Sequence, residues 1–166
     1  MAVVMRRRLE GVGGAERESI DDFLQRHRAP TYRLALSILG RPELAEDVAQ
    51  ESLIRAFRAR HKLQGADDPT AFARRITVRL AITALRRTRF ERPLPEDMPD
   101  GDRTERNAQV RDALARLDPE HQAILALVVG EGLSYGEAAE TLGIPEGTVA
   151  SRLSAARAAF KKEWNR

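Results

Sequence analysis

Between residues 74 and 92 the sequence carries seven arginines against one acid. If this stretch is helical, Arg75, Arg79 and Arg86 project within roughly 40° of one another at 100° per residue. Ala73, Ile76, Thr77, Leu80 and Ala84 take the opposite side and are expected to be buried. A stripe of guanidinium groups backed by an apolar side is what backbone phosphates require, and binding of that kind is strongly salt-dependent. The alternative is an ordinary solvated face, although acids to pair with these arginines are scarce nearby in the sequence.

A second group of chemically suited residues lies in "LSYGEAAETLGIPEGTVASRLSAARAAFKK", Leu133 to Lys162. Ser134 and Glu137 have the spacing of a capping box and open a short helix, "YGEAAETL". Gly143 supplies the positive φ that a sharp turn needs. "IPEG" resets the direction and "TVASRLSAARAAFKK" forms a second helix. Ala139, Gly143 and Val149 fall at the offsets of a helix-turn-helix, whose second helix enters a DNA groove. That helix presents Thr148, Ala150, Ser151, Arg152, Ser154, Ala155 and Arg157 outside its core positions. Small side chains permit close approach, and hydroxyl and guanidinium groups bind phosphates and base edges. Spacing alone leaves a purely structural helical hairpin open.

A third group is "AEDVAQESLIRAF", where Asp47, Gln50 and Glu51 share one helix face. Ile54 is expected to join them, with Ala45, Val48, Ala49, Leu53 and Ala56 facing the core. Acidic groups around an exposed isoleucine form a protein-docking patch; a plain solvated face is the alternative.

Catalytic chemistry finds no foothold. His27, His61 and His121 have no metal-ligand spacing and are expected at the surface or as caps. HExxH, GxSxG and a glycine-rich phosphate loop after a strand are absent. The chain contains no cysteine, which excludes disulfides and Cys-ligated zinc and fits a reducing compartment. No enzyme activity, metal or cofactor is expected. Trp164 is expected to pack against the last helix.

The elements that must position these groups are helices. The 166 residues, 42% hydrophobic and 32% charged with a net charge of +3, show helical periodicity and almost no strand signal. Ser19 and Asp22 cap a helix through "IDDFLQRHR", which Pro30 is expected to end or kink before "TYRLALSILG". Helices follow over "PELAEDVAQESLIRAFRARHKL" and "PTAFARRITVRLAITALRRTR", each with proline near its start. Residues 91–105, "ERPLPEDMPDGDRTE", hold six acids, two arginines, three prolines and a glycine, and read as a linker that cannot bury a core. Beyond it come "RNAQVRDALARL" and "DPEHQAILALVVG", with Asp118 as N-cap and Pro119 at N1. The expectation is an all-α chain of two small helical domains joined by a flexible linker: an N-terminal arm over 1–18, domains over 19–90 and 106–166, and the linker over 91–105. The apolar run at the start is too short for a signal peptide or membrane span, so a cytoplasmic location without membrane insertion is expected.

"ALARLDPEHQAILALVVGEGLSYGEAAETLGIPEGTVASRLSAAR" resembles region 4 of the extracytoplasmic-function (ECF) group of bacterial sigma-70 factors. "AEDVAQESLIRAF" and "AFARRITVRLAITALRR" resemble the polymerase-binding and promoter-recognition helices of that group's region 2. The likeness runs in order over about residues 20–162. It implies a subunit that binds core RNA polymerase and directs it to −10 and −35 promoter DNA, under an anti-sigma factor. By resemblance, Asp47, Gln50, Glu51 and Ile54 meet the β′ clamp helices, and the region 4 half meets the β flap. Arg75, Arg79, Thr83, Arg86 and Arg87 meet the −10 element, and Thr148, Ala150, Ser151, Arg152, Ser154, Ala155 and Arg157 the −35 element. The loop "HKLQGADDPT" would supply a base pocket, and the acidic linker would thread toward the polymerase active centre. The chain departs from the family at Phe72 (commonly tryptophan), Arg79 (asparagine), Thr83 (aspartate), Ala150 (basic) and Ala155 (arginine). A stand-alone helix-turn-helix regulator and a sigma-like decoy for an anti-sigma factor are the competing readings.

Overall fold

The computed structural model describes residues 19–59, 68–88 and 105–166, and these contain seven helices and no strand. The helices are α1 (Ile20–Leu39), α2 (Pro42–Ala59), α3 (Pro69–Thr88), α4 (Glu105–Ala115), α5 (Pro119–Leu125), α6 (Tyr135–Leu142) and α7 (Glu146–Trp164). The N-terminal arm, most of the loop "HKLQGADDPT" and nearly all of the linker lie outside the described residues.

Local chemistry sets several helix ends. Ser19 Oγ accepts the Asp22 N–H at 3.1 Å and starts α1. The helix continues through Pro30, which therefore does not end it. Pro30 itself is exposed, so water can satisfy the carbonyl it leaves unpaired. Phe23, Leu34 and Ile38, from either side of the proline, are all buried and anchor both halves of α1 in the core. At the other end Gly40 adopts φ 63° and donates its N–H to Leu36 O at 2.8 Å, which frees the chain to turn into α2. The side chain of Asp68 caps α3 by accepting the N–H groups of Thr70 and Ala71 at 2.9 and 3.2 Å. Those hydrogen bonds, led by Thr70 and aided by the charge of Arg74, outweigh slight burial and hold the Asp68 carboxyl below its usual range.

Asp118 and Pro119 open α5 in the N-cap and N1 positions. The helix then widens into a π turn over Ala126–Gly130, closed by the Glu131 N–H donating to Ala126 O at 2.8 Å. Leu133 donates back to Leu127 O at 3.0 Å, so the turn delivers the chain directly to the cap of α6.

Three buried clusters organise these helices. One lies in the N-terminal half and contains Phe23, Leu53, Ile54, Phe57 and Ala73. Another lies in the C-terminal half and contains Ile124, Ala138, Val149, Leu153 and Ala156. The third is shared: Leu34, Ile38, Val48, Val78 and Ala81 of α1–α3 pack with Ala123, Ala126 and Leu127 of α5 and its π turn. The C-terminal half is therefore seated against α1 and α3.

Two expectations about single residues are corrected. Ile54 is 3% exposed and belongs to the core. α2 packs against both α1 and α3, so the buried arc of its last turns is wider than one helix face and takes in Ile54 and Phe57. His27 is likewise buried, its ring tilted against that of Phe23 with centroids 4.6 Å apart, and it is not a surface residue. On α3 the deepest residues are Ala73, Thr77, Val78 and Ala81, while Ile76, Leu80 and Ala84 are half-buried beside them.

Candidate nucleic-acid interface

The helix-turn-helix is built as its residue types require. Ser134 Oγ accepts the Glu137 N–H at 3.3 Å, and Glu137 Oε2 accepts the Ser134 N–H at 2.9 Å, completing a reciprocal capping box. These bonds, first from the Ser134 side chain and then from its backbone, hold the Glu137 carboxyl below its ordinary value. Gly143 ends α6 at φ 67°, and Ile144 then donates its N–H to Ala139 O at 3.1 Å. Ala139 and Val149 are buried behind the turn, in keeping with their offsets.

α7 sinks only one strip, Val149, Leu153 and Ala156, into the protein. Ala150, Ser151, Arg152, Ser154, Ala155 and Arg157 are all exposed, and Thr148 is half-buried at the edge. The set assigned to the second DNA element is thus one continuous open surface. Its floor of alanine and serine lets the helix backbone come close to a groove, and its two arginines supply the charge. Beyond it Phe160 stacks on Trp164 with centroids 6.0 Å apart, which places the lone tryptophan against its own helix.

The arginines of α3 have a different setting. Arg79, Thr83, Arg86 and Arg87 are exposed and Arg75 is half-buried. Thr83 Oγ1 donates to the Arg79 carbonyl at 2.8 Å, turning its hydroxyl toward the backbone of its own helix. Arg75 Nη1 donates to Glu140 Oε1 of α6 at 3.3 Å, and Arg86 is ion-paired with Glu120 of α5. Burial raises the Glu120 carboxyl, but the hydrogen bond and charge of Arg86, with the charge of Arg152, bring it below its usual value overall. Phe72, at the start of α3, has the Arg75 guanidinium 5.8 Å from its ring centroid.

No sequence signal points to Glu120 and Glu140 as partners of the stripe. They lie 34 and 65 residues from the arginines they meet, beyond the reach of any local spacing rule.

On α2, Asp47 is exposed and Gln50 and Glu51 are half-buried on one side, without the isoleucine expected among them. Glu51 Oε1 already accepts Arg55 Nε at 2.7 Å, an exposed pair one helical turn apart. Such pairs contribute only about 0.3–0.5 kcal/mol and exchange readily for an intermolecular partner. Among the described residues no cluster of His, Asp or Glu has a metal-binding arrangement, and no helix is long and apolar enough to cross a membrane.

A helical chain with a helix-turn-helix and a second arginine-striped helix has the form of a DNA-binding transcription protein. The profile of Sigma-70 region 2 matches residues 23–91, and that of Sigma-70 region 4 matches residues 107–160. The chain is 36% identical over 156 residues to the ECF RNA polymerase sigma factor SigE of Mycolicibacterium smegmatis, covering 84% of this chain and 59% of SigE. It is 33% identical over 161 residues to the ECF sigma factor SigL of Mycobacterium tuberculosis, covering 88% of this chain and 89% of SigL. In fold it is similar to the sigma factor RpoE in a complex with the anti-sigma factor NepR from Bartonella quintana. The TM-score is 0.66 at 19% identity, with 87% of this chain and 96% of that chain covered. The chain belongs to the ECF RNA polymerase sigma factors of the sigma-70 family.

Proposed function

We propose that this chain is a promoter-specificity subunit, an initiation factor that lends DNA recognition to core RNA polymerase and has no catalytic centre of its own. Asp47, Gln50 and Glu51 on α2 accept basic groups of the β′ clamp helices, and the C-terminal half meets the β flap. Arg75, Arg79, Thr83, Arg86 and Arg87 on α3 face the −10 element, with the arginines holding the phosphates. Thr148, Ala150, Ser151, Arg152, Ser154, Ala155 and Arg157 on α7 face the −35 element. The observation that carries this reading is the open surface of α7, on which every assigned side chain except half-buried Thr148 is exposed while Val149, Leu153 and Ala156 anchor the helix.

Ala150 and Ala155 stand where the family commonly carries basic residues. Each lost bidentate contact removes about 1–3 kcal/mol of base discrimination. The −35 element is therefore read largely through Arg152, Arg157 and the backbone. A sigma factor of similar fold is held by an anti-sigma factor, and we propose the same control for this chain.

Run-off transcription with purified core polymerase and a candidate promoter tests the reading, and a promoter-dependent transcript is the expected outcome. Charge reversal at Asp47 with Glu51 is expected to abolish it while far-UV circular dichroism stays unchanged. DNA binding without transcript would identify a stand-alone regulator, and tight anti-sigma binding without either would identify a decoy.

A further inference from the structure

The open side of α7 continues past the residues assigned to the −35 element and changes character along its length. At about 100° per residue, Lys161 projects within roughly 20° of Ala150 and Ser154, and Lys162 within roughly 20° of Ser151 and Ala155. Each row that begins with small side chains therefore ends in a lysine. Both lysines are exposed, as is Arg157 one turn before them. Among the described residues no carboxylate lies within ion-pair distance of Arg157, Lys161 or Lys162. The one acid of the last turns, Glu163, keeps only 14% of its side-chain surface and accepts Arg166 Nη1 at 3.1 Å. Phe160 and Trp164 stack one turn apart, a pairing that braces the end of the helix and holds the lysines in register.

Ser151 and Lys162 are eleven residues apart, which is about 16 Å along the axis at 1.5 Å per residue. The major groove is only about 12 Å wide. A straight helix whose first turns touch base edges thus carries its last turn out over a phosphate backbone. We propose that Lys161 and Lys162, with Arg157, form a phosphate clamp at the end of α7 that extends the DNA-binding surface beyond the groove. The clamp divides the helix by task. Residues ahead of Arg157 set which sequence is preferred, and the lysines set how firmly any duplex is held. The clamp supplies affinity that Ala150 and Ala155 do not. The inference rests on the reading of α7 as a DNA-facing helix, and it can be measured without polymerase or a known promoter.

The probe is a mixed-sequence DNA duplex, titrated with the full chain at several salt concentrations. Two phosphate contacts account for about 1.8 of the log–log slope of affinity against salt. K161Q combined with K162Q is expected to lower the slope by about that amount. Its deficit against wild type then narrows about tenfold between roughly 50 and 200 mM salt. K161R with K162R is expected to keep the wild-type slope. R28Q with R33Q, an exposed pair on α1, removes the same charge and is expected to leave the slope unchanged. For two duplexes that differ only in a candidate −35 element, the ratio of affinities is expected to be the same in wild type and in K161Q with K162Q.

Lysines in the last turn of a helix also offset its dipole, and losing that role alone would weaken binding equally at every salt concentration. Parallel salt lines for wild type and K161Q with K162Q would therefore overturn the proposal. So would an equal slope change in R28Q with R33Q, which would make net charge the cause. A shifted affinity ratio would overturn it by putting the lysines on base edges. Intact duplex binding by K161Q with K162Q but a lost run-off transcript would overturn it in favour of an acidic protein partner. No binding by the wild-type chain at low salt would overturn it together with the reading of α7. A wild-type chain that gives the expected slopes but no run-off transcript would count against the proposed function alone.

Discussion

The two basic helices of this chain meet the rest of the molecule in opposite ways. α7 surrenders the narrow strip of Val149, Leu153 and Ala156 and leaves its candidate DNA-contact residues open. α3 is buried along Ala73, Thr77, Val78 and Ala81, and two arginines of its other side are held by Glu120 and Glu140. The difference follows from side-chain chemistry. α7 spaces its two arginines, Arg152 and Arg157, among alanine and serine, whereas α3 carries a denser row of guanidinium groups, two of which meet acids of other helices. One surface is open in this arrangement, and the other is partly engaged by acids of the C-terminal half.

The largest test of this contrast is made in the core. Leu127 is 0% exposed in the shared cluster and Leu153 is 1% exposed beneath α7. Truncating either to alanine is expected to cost about 2–5 kcal/mol in denaturant unfolding. Leu153→Ala should also loosen the helix-turn-helix and weaken binding to duplex DNA. Leu127→Ala should instead loosen the seat of α3 against α5 and leave duplex binding by α7 close to normal. Equal losses of duplex binding in the two variants would erase the distinction between the helices.

A smaller effect sharpens it. A phosphate contact contributes about 0.9 to the log–log slope of DNA affinity against salt. Arg152→Ala is expected to lower the slope of the full chain by about that amount, taking Arg152 as a phosphate contact. Arg75→Ala should lower it less, because its ion pair with Glu140 already offsets that charge. Titration of promoter DNA at several salt concentrations reads both values.

The smallest effect concerns how the helices begin. α3 is capped by the Asp68 carboxylate, whereas α7 starts behind Pro145 with no side-chain cap bond. Asp68→Ala is expected to cost about 1 kcal/mol. Backbone hydrogen bonds from Thr70, with smaller help from Ala71 and Arg74, depress the folded carboxyl relative to its unfolded value. The stabilisation is therefore present above the ordinary aspartate range and is lost as the pH falls through the lowered value. Acid unfolding curves of wild type and Asp68→Ala should converge at low pH, and a constant separation would mean that Asp68 acts without its charge.

Much of the molecule is legible in its residue types and their spacing. Ser134 with Glu137, Gly143, and Asp118 with Pro119 are local signals, and all of them occupy the positions their spacing implies. The open face of α7 is legible for the same reason, since its buried strip repeats at helical spacing. Ile54 and His27 depart from expectation because burial on α2 and α1 depends on neighbours from other parts of the chain. Pro30 does not end α1 because tertiary packing on both sides outweighs a single missing backbone bond.

The helices, their caps, the offsets of the helix-turn-helix and the existence of an arginine stripe are thus properties of the linear chain, because each is written in residue spacings along a short continuous segment. What the stripe faces is a property of the packed molecule. Glu120 and Glu140 reach it across the shared core of Val78, Ala81 and Leu127, and no periodicity along one helix records which charges another helix will lay against it.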